Sequence, residues 1–526
     1  MTRSNFRWGA AALAVVVLGA TATACTFGAP TPAASETDVG IPAAALEVMN
    51  QPQYANGQWL ISVADLDTGE VLIDLNGDQM SEPASFTKSY SVGAAWLKWG
   101  PDHIVTTPVK RTGEVTGATL NGDLVLVGKG DFTLGGRTKA DGTVDYTNLD
   151  HNDANPLPGA TLTPEDPLTG LDDLAAQVKA SGVDVVTGSV VVDDRLFQGT
   201  LAGEPISPIV VNQNLIDVLI TPGADGEPAT VEMTPAVAPW HVVSTVRTVA
   251  AGGDAAVSDP ESTGGGALTV DGTIAADSDP VLKVYALEDP STFARTAFIE
   301  ALGRAGVTVG GDPVAANSTA SLPAKDAVDA LPSVAEFDSL PLAEQATYVM
   351  KISYNRGAQA YVCLLSAAAG VDDCSAGLAE VGKLWSEAGL DITGISLVDG
   401  SGLIGNYVTP ANGVAAQAIM ASRPDADQWR ATMPILGVDG SLAMVQADSP
   451  AAGKVFAKTG TLVGGDAVND RYRLNTKALG GVMESKSGRN IAFTIIMNQG
   501  FAAEITGVFA ANDDVGAVAA AIQQAF

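Results

Sequence analysis

Basic side chains, histidines and cysteines are scarce in this chain of 526 residues, and each shortage excludes a class of site or partner. Only 28 Lys and Arg stand against 60 Asp and Glu, which gives a formal net charge of -32. Nucleic acids and anionic membrane surfaces bind basic patches, so we expect neither as a partner. The three histidines, His103, His151 and His241, are not spaced with cysteines as metal ligands are, so we expect no metal site and no cofactor.

Long apolar runs are also missing, except for a short segment near the N-terminus. Arg3 and Arg7 precede an apolar run over residues 9–20, and small residues follow it up to Cys25. A basic start, a short apolar run and small residues before a cleavage site are typical of a signal peptide, which we place at residues 1–25. We therefore expect the protein to be exported to the cell envelope.

Cys25 stands where a bacterial lipoprotein carries its lipid. The small residues before it resemble the lipoprotein box, so we predict Cys25 to be the lipidated N-terminus of the mature chain. Residues 26–44, with several Ala, Ser, Thr and Pro, would form a flexible tether on the outer face of the cytoplasmic membrane, in a periplasm-like space. Ala22 replaces the usual Leu of the box, so plain cleavage near Ala24 is the alternative.

Cys363 and Cys374 are the two remaining cysteines. Export places them in a compartment that permits disulfides, and a bond between them would close a short loop. Two buried free thiols, which pack as small apolar side chains, are the alternative.

The length of the chain and the changes in its sequence pattern predict several domains, because 526 residues exceed what one core accommodates. Residues 45–104 show a strand–turn–strand–helix pattern and are predicted to begin a catalytic domain, which residues 326–526 complete and close with a helix from residue 512. Residues 105–325 alternate short strands with turns rich in Gly, Asp and Pro, which predicts one or two inserted β-rich domains. The predicted fold class is α/β, of the α+β kind.

Ser85 and Lys88 lie at the start of the first predicted helix. Residues three apart share a helix face, so the lysine amine can reach the serine hydroxyl. A buried lysine near another cation loses proton affinity and can act as the general base for a serine nucleophile. A Ser-x-x-Lys match alone is common, and in isolation a helix cap beside an exposed lysine is the better explanation for it.

Two later motifs favour the catalytic interpretation. Ser353 and Asn355 form a Ser-x-Asn element, in which the serine can pass a proton to a leaving nitrogen and the amide can hold a substrate backbone. A Lys-Thr-Gly-Thr element follows on a predicted strand. Its lysine adds positive charge, its hydroxyls can bind a terminal carboxylate, and its glycine permits close backbone approach. The residues of this element are Lys458, Thr459, Gly460 and Thr461.

With these motifs, the sequence resembles the low-molecular-mass class C penicillin-binding proteins, the D-alanyl-D-alanine carboxypeptidase/endopeptidase family. Further stretches resemble family signatures, at residues 83–85, 122–134, 192–197, 399–403 and 408–410. The chain departs from the family at Phe132, where Pro is usual, and at Tyr354, where Asp or Asn is usual. The segment at 463–477 is also longer than in the family.

The resemblance implies a penicilloyl-serine transferase, or β-lactamase-like, catalytic domain built on an antiparallel sheet with helices on both faces. It implies that Ser85 is the acylated nucleophile and Lys88 its base. The backbone N–H groups of Ser85 and Thr461 would form the oxyanion hole. The same resemblance assigns the other motif residues, with catalytic roles for Ser353, Asn355 and Lys458 and substrate binding for Thr459, Gly460 and Thr461.

The implied substrates are peptidoglycan stem peptides, cleaved at the terminal D-Ala-D-Ala bond and at D-Ala cross-links, with β-lactam antibiotics as inhibitors. A Ser-His-Asp hydrolase is disfavoured because no histidine accompanies a G-x-S-x-G elbow. A β-lactamase-type hydrolase shares the first and third motifs, but it is usually a single compact domain. A catalytically weak homologue that binds cell-wall glycopeptide is the non-enzymatic alternative.

Overall fold

An antiparallel five-stranded sheet brings together the N-terminal and C-terminal parts of the described chain. The structure is a computed structural model. The description covers residues 40–253 and 256–526, so the predicted leader and Cys25 lie outside it. The described residues belong to one compact unit, Val39–Phe526. In order across the sheet, the strands are Val71–Leu75, Gln58–Asp65, Asn490–Ala502, Arg471–Glu484 and Val455–Asp466.

The first hairpin of this sheet has the turn that the sequence predicts. The side chain of Asp65 accepts hydrogen bonds from the backbone N–H groups of Asp67 and Thr68 at 3.0 and 2.9 Å. Gly69 follows with a φ of +73°, a conformation that an L-residue rarely adopts. The strand Asn490–Ala502 lies in the middle of the sheet and is buried on both faces, which explains its nearly continuous apolar sequence.

Helices cover both faces of the sheet, as predicted. Alternate residues of the first strand point to opposite faces: Ile61 packs in a core cluster with the closing helix Ile505–Ala525, whereas Leu60 packs in a cluster with the helix Lys88–Trp99. The helix Ala43–Met49 joins the closing helix on the first face. The remaining helices of the catalytic region are Leu342–Lys351, Asn355–Ala368, Gly377–Glu387, Pro410–Ala421 and Ala426–Ala431.

The closing helix begins at Ile505, earlier than its predicted start at residue 512. Val508 already belongs to the apolar face that packs on the sheet. Asp513 lies inside the helix and accepts a hydrogen bond from the backbone N–H of Gln446 at 2.9 Å. By length and composition this is the one described helix that could span a membrane, although its apolar residues form part of the core.

The β-rich region between the catalytic segments contains several small sheets and its own apolar core. Its helices are Thr169–Ala180, Pro290–Arg304 and Lys325–Asp329. One four-stranded sheet has the order Ser333–Asp338, Thr106–Arg111, Leu124–Val127 and Val190–Asp193, and another has the order Thr308–Val309, Val185–Val186, Thr119–Asn121 and Glu114–Thr116. One three-stranded sheet has the order Thr230–Thr234, Leu215–Thr221 and Val281–Ala286. A second has the order His241–Ser244, Ala267–Val270 and Glu261–Gly264. A third has the order Arg247–Val249, Gly272–Ala275 and Ala256–Val257.

A sheet of the predicted insert includes a strand that lies past residue 325, the predicted end of that region. The strand Ser333–Asp338 pairs antiparallel with Thr106–Arg111, and its residue Ala335 lies in the core of the insert. The chain therefore leaves the catalytic region along one strand and returns along its neighbour. A boundary inside such a strand pair cannot be recognised from the composition of either strand alone.

A disulfide joins Cys363 and Cys374, the pair expected from the sequence. It ties the helix Asn355–Ala368 to the short 3-10 turn Cys374–Ala376. The same turn contacts the inserted region, because the backbone N–H of Cys374 donates to the carbonyl of Gln198 at 3.0 Å. The bond thus stabilises a point at which the insert meets the catalytic region.

Candidate active site

Ser85 lies in a tight turn immediately before a helix. The sequence predicts a helix from Ser85, whereas the structure has a 3-10 turn, Ala84–Thr87, followed by the α-helix Lys88–Trp99. Ala84 has a φ of +48°, so the backbone is strained just before the serine. Ser85 itself is half-buried, whereas the residues that follow it are buried.

Two glycines allow this turn to lie close to its neighbours. A Cβ at Gly460 would collide with the carbonyl of Pro83, and a Cβ at Gly402 would collide with the carbonyl of Ala84. The third-motif strand and the 399–403 loop therefore clamp the turn from two sides. Any side chain larger than hydrogen at either position would displace Ser85.

Lys88 is completely buried beneath Ser85, and its amine has three oxygen neighbours. Its Nζ donates to Ser85 Oγ at 2.7 Å, to Asn355 Oδ1 at 2.6 Å and to the carbonyl oxygen of Ser401 at 2.9 Å. Burial lowers the pKa of Lys88 to about 7, against the opposing effect of the carboxylates Asp399 and Asp153. The amine is therefore deprotonated in a large fraction of molecules at neutral pH.

The loop at residues 399–403 supplies one of those three oxygens. The side chain of Asp399 accepts hydrogen bonds from the backbone N–H groups of Ser401 at 2.6 Å and of Gly402 at 2.7 Å. The amide of Asn406 donates to the same carboxylate at 2.8 Å. This bonding holds the loop so that the carbonyl of Ser401 points at Lys88. The sequence of this loop resembles a family signature, but the resemblance assigns it no role.

The second motif occupies a break between two helices. Residues 343–369 have a helical sequence pattern, but the helices Leu342–Lys351 and Asn355–Ala368 are separate, with Ser353 between them at a φ of +60°. Ser353 Oγ accepts from Lys458 Nζ at 2.9 Å. The break thus turns Ser353 toward the third motif, while Asn355, at the start of the next helix, meets Lys88.

Tyr354 and Phe132, the two departures from the family pattern, contact each other. Their rings meet edge to face at a centroid distance of 5.9 Å, and both are buried. Such aromatic pairs stabilise a core by about 0.5–1.5 kcal/mol beyond their buried area. The two replacements thus form one contact between the insert and the second motif.

The third motif lies on the edge strand Val455–Asp466. Burial and the charge of Lys88 lower the pKa of Lys458 well below its usual value. Thr459 Oγ1 lies 2.7 Å from Ser441 Oγ, and the exposed Thr461 accepts from Lys477 Nζ at 3.2 Å. The longer segment noted at 463–477 is an extension of this strand and of its partner Arg471–Glu484.

Three polar residues near the site were not predicted from the sequence: Asp153, Ser441 and Lys477. Asp153 comes from the inserted region, and its burial raises its pKa to about 6 while the charges of Lys88 and Lys458 oppose that shift. No local pattern marks these residues, because each reaches the site only through tertiary packing. Within residues 40–253 and 256–526, no group of three or more His, Cys, Asp or Glu side chains is placed to hold a metal ion.

Comparisons with known proteins give the family to which this chain belongs. The profile of the D-Ala-D-Ala carboxypeptidase 3 (S13) family matches residues 43–512. The D-alanyl-D-alanine carboxypeptidase of Actinomadura sp. (strain R39) is 32% identical over 483 residues, which cover 86% of this chain and 79% of that protein. Carboxypeptidase DacB of Mycolicibacterium smegmatis is 32% identical over 180 residues, which cover 32% of this chain and 35% of that protein.

The crystal structure of penicillin binding protein 4 (dacB) from Haemophilus influenzae superimposes with a TM-score of 0.64 at 19% sequence identity, covering 88% of this chain and 94% of that one. This likeness concerns the fold. The chain belongs to the D-Ala-D-Ala carboxypeptidase 3 (S13) family. The predicted family, fold class and enzyme class, a serine-type D-Ala-D-Ala carboxypeptidase, are thereby confirmed.

The close approach at Gly460 provides a test of the site's geometry. We expect Gly460→Ala to slow acylation by a fluorescent penicillin about 10- to 100-fold, because an added methyl in a packed contact costs about 1–3 kcal/mol. Gly465→Ala on the same strand is the matched control, since a Cβ there meets nothing within 4 Å. Equal acylation rates for both variants would contradict the described packing.

Proposed function

We propose that the protein cleaves the terminal D-Ala-D-Ala bond of peptidoglycan stem peptides, with Ser85 as the nucleophile and Lys88 as its general base. The observation that carries this proposal is the position of the buried Lys88 amine, 2.7 Å from Ser85 Oγ. D-Ala cross-links between stem peptides have the same acyl half and belong to the same proposed substrate class.

The neighbours of Lys88 determine the direction of proton transfer. A neutral amine has two protons and one lone pair. The carbonyl of Ser401 and the amide oxygen of Asn355 accept hydrogen bonds only, so they use both protons. The lone pair then faces the hydroxyl of Ser85, from which it takes the proton as Oγ attacks the carbonyl carbon of the substrate.

The remaining motif residues act on the groups that change during this attack. The backbone N–H groups of Ser85 and Thr461 would donate to the oxyanion. Ser353, held by Lys458 at 2.9 Å, would pass a proton to the leaving nitrogen. Asn355 and Gly460 would hold the substrate backbone, and the hydroxyls of Thr459 and Thr461 its terminal carboxylate. Water then hydrolyses the acyl ester and regenerates Ser85.

We expect β-lactams to bind at the same site because a strained lactam presents an amide carbonyl beside a carboxylate, as D-Ala-D-Ala does. A crystal structure of the Haemophilus influenzae penicillin binding protein 4 is described as a complex with a novel beta-lactam. We infer that penicillins acylate Ser85 of this protein and deacylate slowly. Fast turnover of penicillin would instead indicate the β-lactamase alternative, and absence of both reactions the glycopeptide-binding one.

Removal of the Ser85 hydroxyl tests the nucleophile. We expect Ser85→Ala to lower the release of D-alanine from a D-Ala-D-Ala peptide by at least about 10⁴-fold, because no other group can form the ester. Ser89→Ala on the following helix is the matched control, since its buried hydroxyl has no hydrogen-bond partner among the described residues. Comparable activities of Ser85→Ala and the wild type would remove Ser85 from the mechanism.

The pH dependence of acylation tests the base. The pKa of Lys88 is lowered to about 7, so the free amine predominates above that pH and the inactive ammonium below it. We expect kcat/KM to rise about tenfold per pH unit on the acid side and to level off above neutrality. A rate measured with a chromogenic β-lactam that is flat through neutrality would exclude Lys88 as the base. Lys88→Met should lower the rate by about 10²–10⁴-fold at the plateau.

We further propose that the protein is exported and anchored through a lipid on Cys25, so that it meets its substrate outside the cytoplasmic membrane. Envelope location follows from the reaction class, whereas the anchor is inferred from the small residues before Cys25. The mass of the mature N-terminal peptide should show a lipid-modified Cys25. An unmodified terminus elsewhere would contradict the anchor but not the enzymatic proposal.

A further inference from the structure

Lys477 is a buried cation beside the third motif that the mechanism above does not use. It lies on the strand Arg471–Glu484, directly across from Thr461, and only 3% of its surface is exposed. Cross-strand neighbours point to the same face of a sheet, so the two side chains lie together. The Nζ of Lys477 donates to Thr461 Oγ1 at 3.2 Å.

Lys477 lacks the partners that the other buried lysines have. Lys88 and Lys458 each donate to three oxygens, and Lys351 forms an ion pair with Asp439 at 2.7 Å. Among the described residues, Lys477 has one hydroxyl acceptor and no carboxylate. Burial alone lowers the pKa of its amine to about 7. A buried ammonium without a counter-ion is costly, so this position favours an anion that arrives from outside.

The position of Thr461 shows where such an anion would bind. Thr461 is exposed on the edge strand, and its hydroxyl has one proton to donate. Because the hydroxyl accepts from Lys477, its own proton is directed away from the lysine. A carboxylate that accepts this proton would therefore also be attracted by the charge of the buried amine when that amine is protonated.

We propose that Lys477 acts with Thr461 as the counter-ion for the terminal carboxylate of the substrate, and so makes the enzyme select peptides with a free carboxyl terminus. This inference rests on the proposed function, because it assigns the carboxylate subsite of the same cleft. Lys477 determines specificity and does not take part in proton transfer at Ser85.

Two substrates separate this role from a structural one: a peptide ending in D-Ala-D-Ala with a free carboxylate, and the same peptide with a terminal carboxamide. We expect the wild type to prefer the carboxylate by kcat/KM. Lys477→Met should lower kcat/KM for the carboxylate about 10- to 100-fold, mainly through a higher KM, as expected for one lost interaction with a charged group. The carboxamide should change by less than about threefold, and Lys477→Arg should retain part of the preference.

Arg473→Gln is the matched control, because it removes an exposed cation from the same strand. Equal losses on both substrates in Lys477→Met, or an equal change of preference in Arg473→Gln, would overturn the inference. Equal cleavage of both peptides by the wild type would also overturn the inference, and this measurement requires no variant. If the wild type cleaves neither peptide and takes no penicillin, the proposed function itself fails. If it is active but Lys477→Met keeps the preference, only the role of Lys477 fails.

Discussion

The burial of the Lys88 ammonium is the constraint on which the rest of the site depends. A buried ammonium that is shielded from water needs an oxygen acceptor for each of its N–H groups. Here the acceptors belong to Ser85, Asn355 and Ser401. The three residues are far apart in sequence, so the site exists only when both catalytic segments and their connecting loops are assembled. The same burial that demands this assembly lowers the pKa of the amine to about 7, as its proposed role of general base requires.

Local charge in the cleft opposes the charge of the whole protein. The chain has a formal net charge of -32, yet Lys88, Lys458 and Lys477 are buried near one edge of the sheet. Burial lowers the pKa of all three amines, and the charge of Lys88 adds to this effect at Lys458. Asp153 from the insert partly offsets the shift at Lys88 and Lys458. In the proposed reaction, a site of this kind would stabilise a developing oxyanion and an anionic substrate terminus without solvent reorganisation. The inserted region thus contributes to the electrostatics of the cleft as well as to the fold.

The sequence predicted those parts of the structure that local rules determine. The first hairpin, the edge strand of Lys458 and the Ser-x-x-Lys spacing follow from turn chemistry, alternation and helix periodicity. The break at Ser353 was not predicted, because the helical pattern continues through it and only packing imposes its positive φ. Ser333–Asp338 could not be assigned to the insert, since its partner strand lies more than two hundred residues earlier. Lys477 has no local signature either, because a lysine on a strand usually faces solvent.

The most direct test of the central claim is to map the covalent adduct. The wild-type protein is treated with penicillin, digested and examined by peptide mass spectrometry. We expect one penicilloyl group per protein on the peptide that contains Ser85, because Lys88 would activate that hydroxyl alone. An adduct on another residue, or an active enzyme that forms no adduct, would rule out Ser85 as the nucleophile.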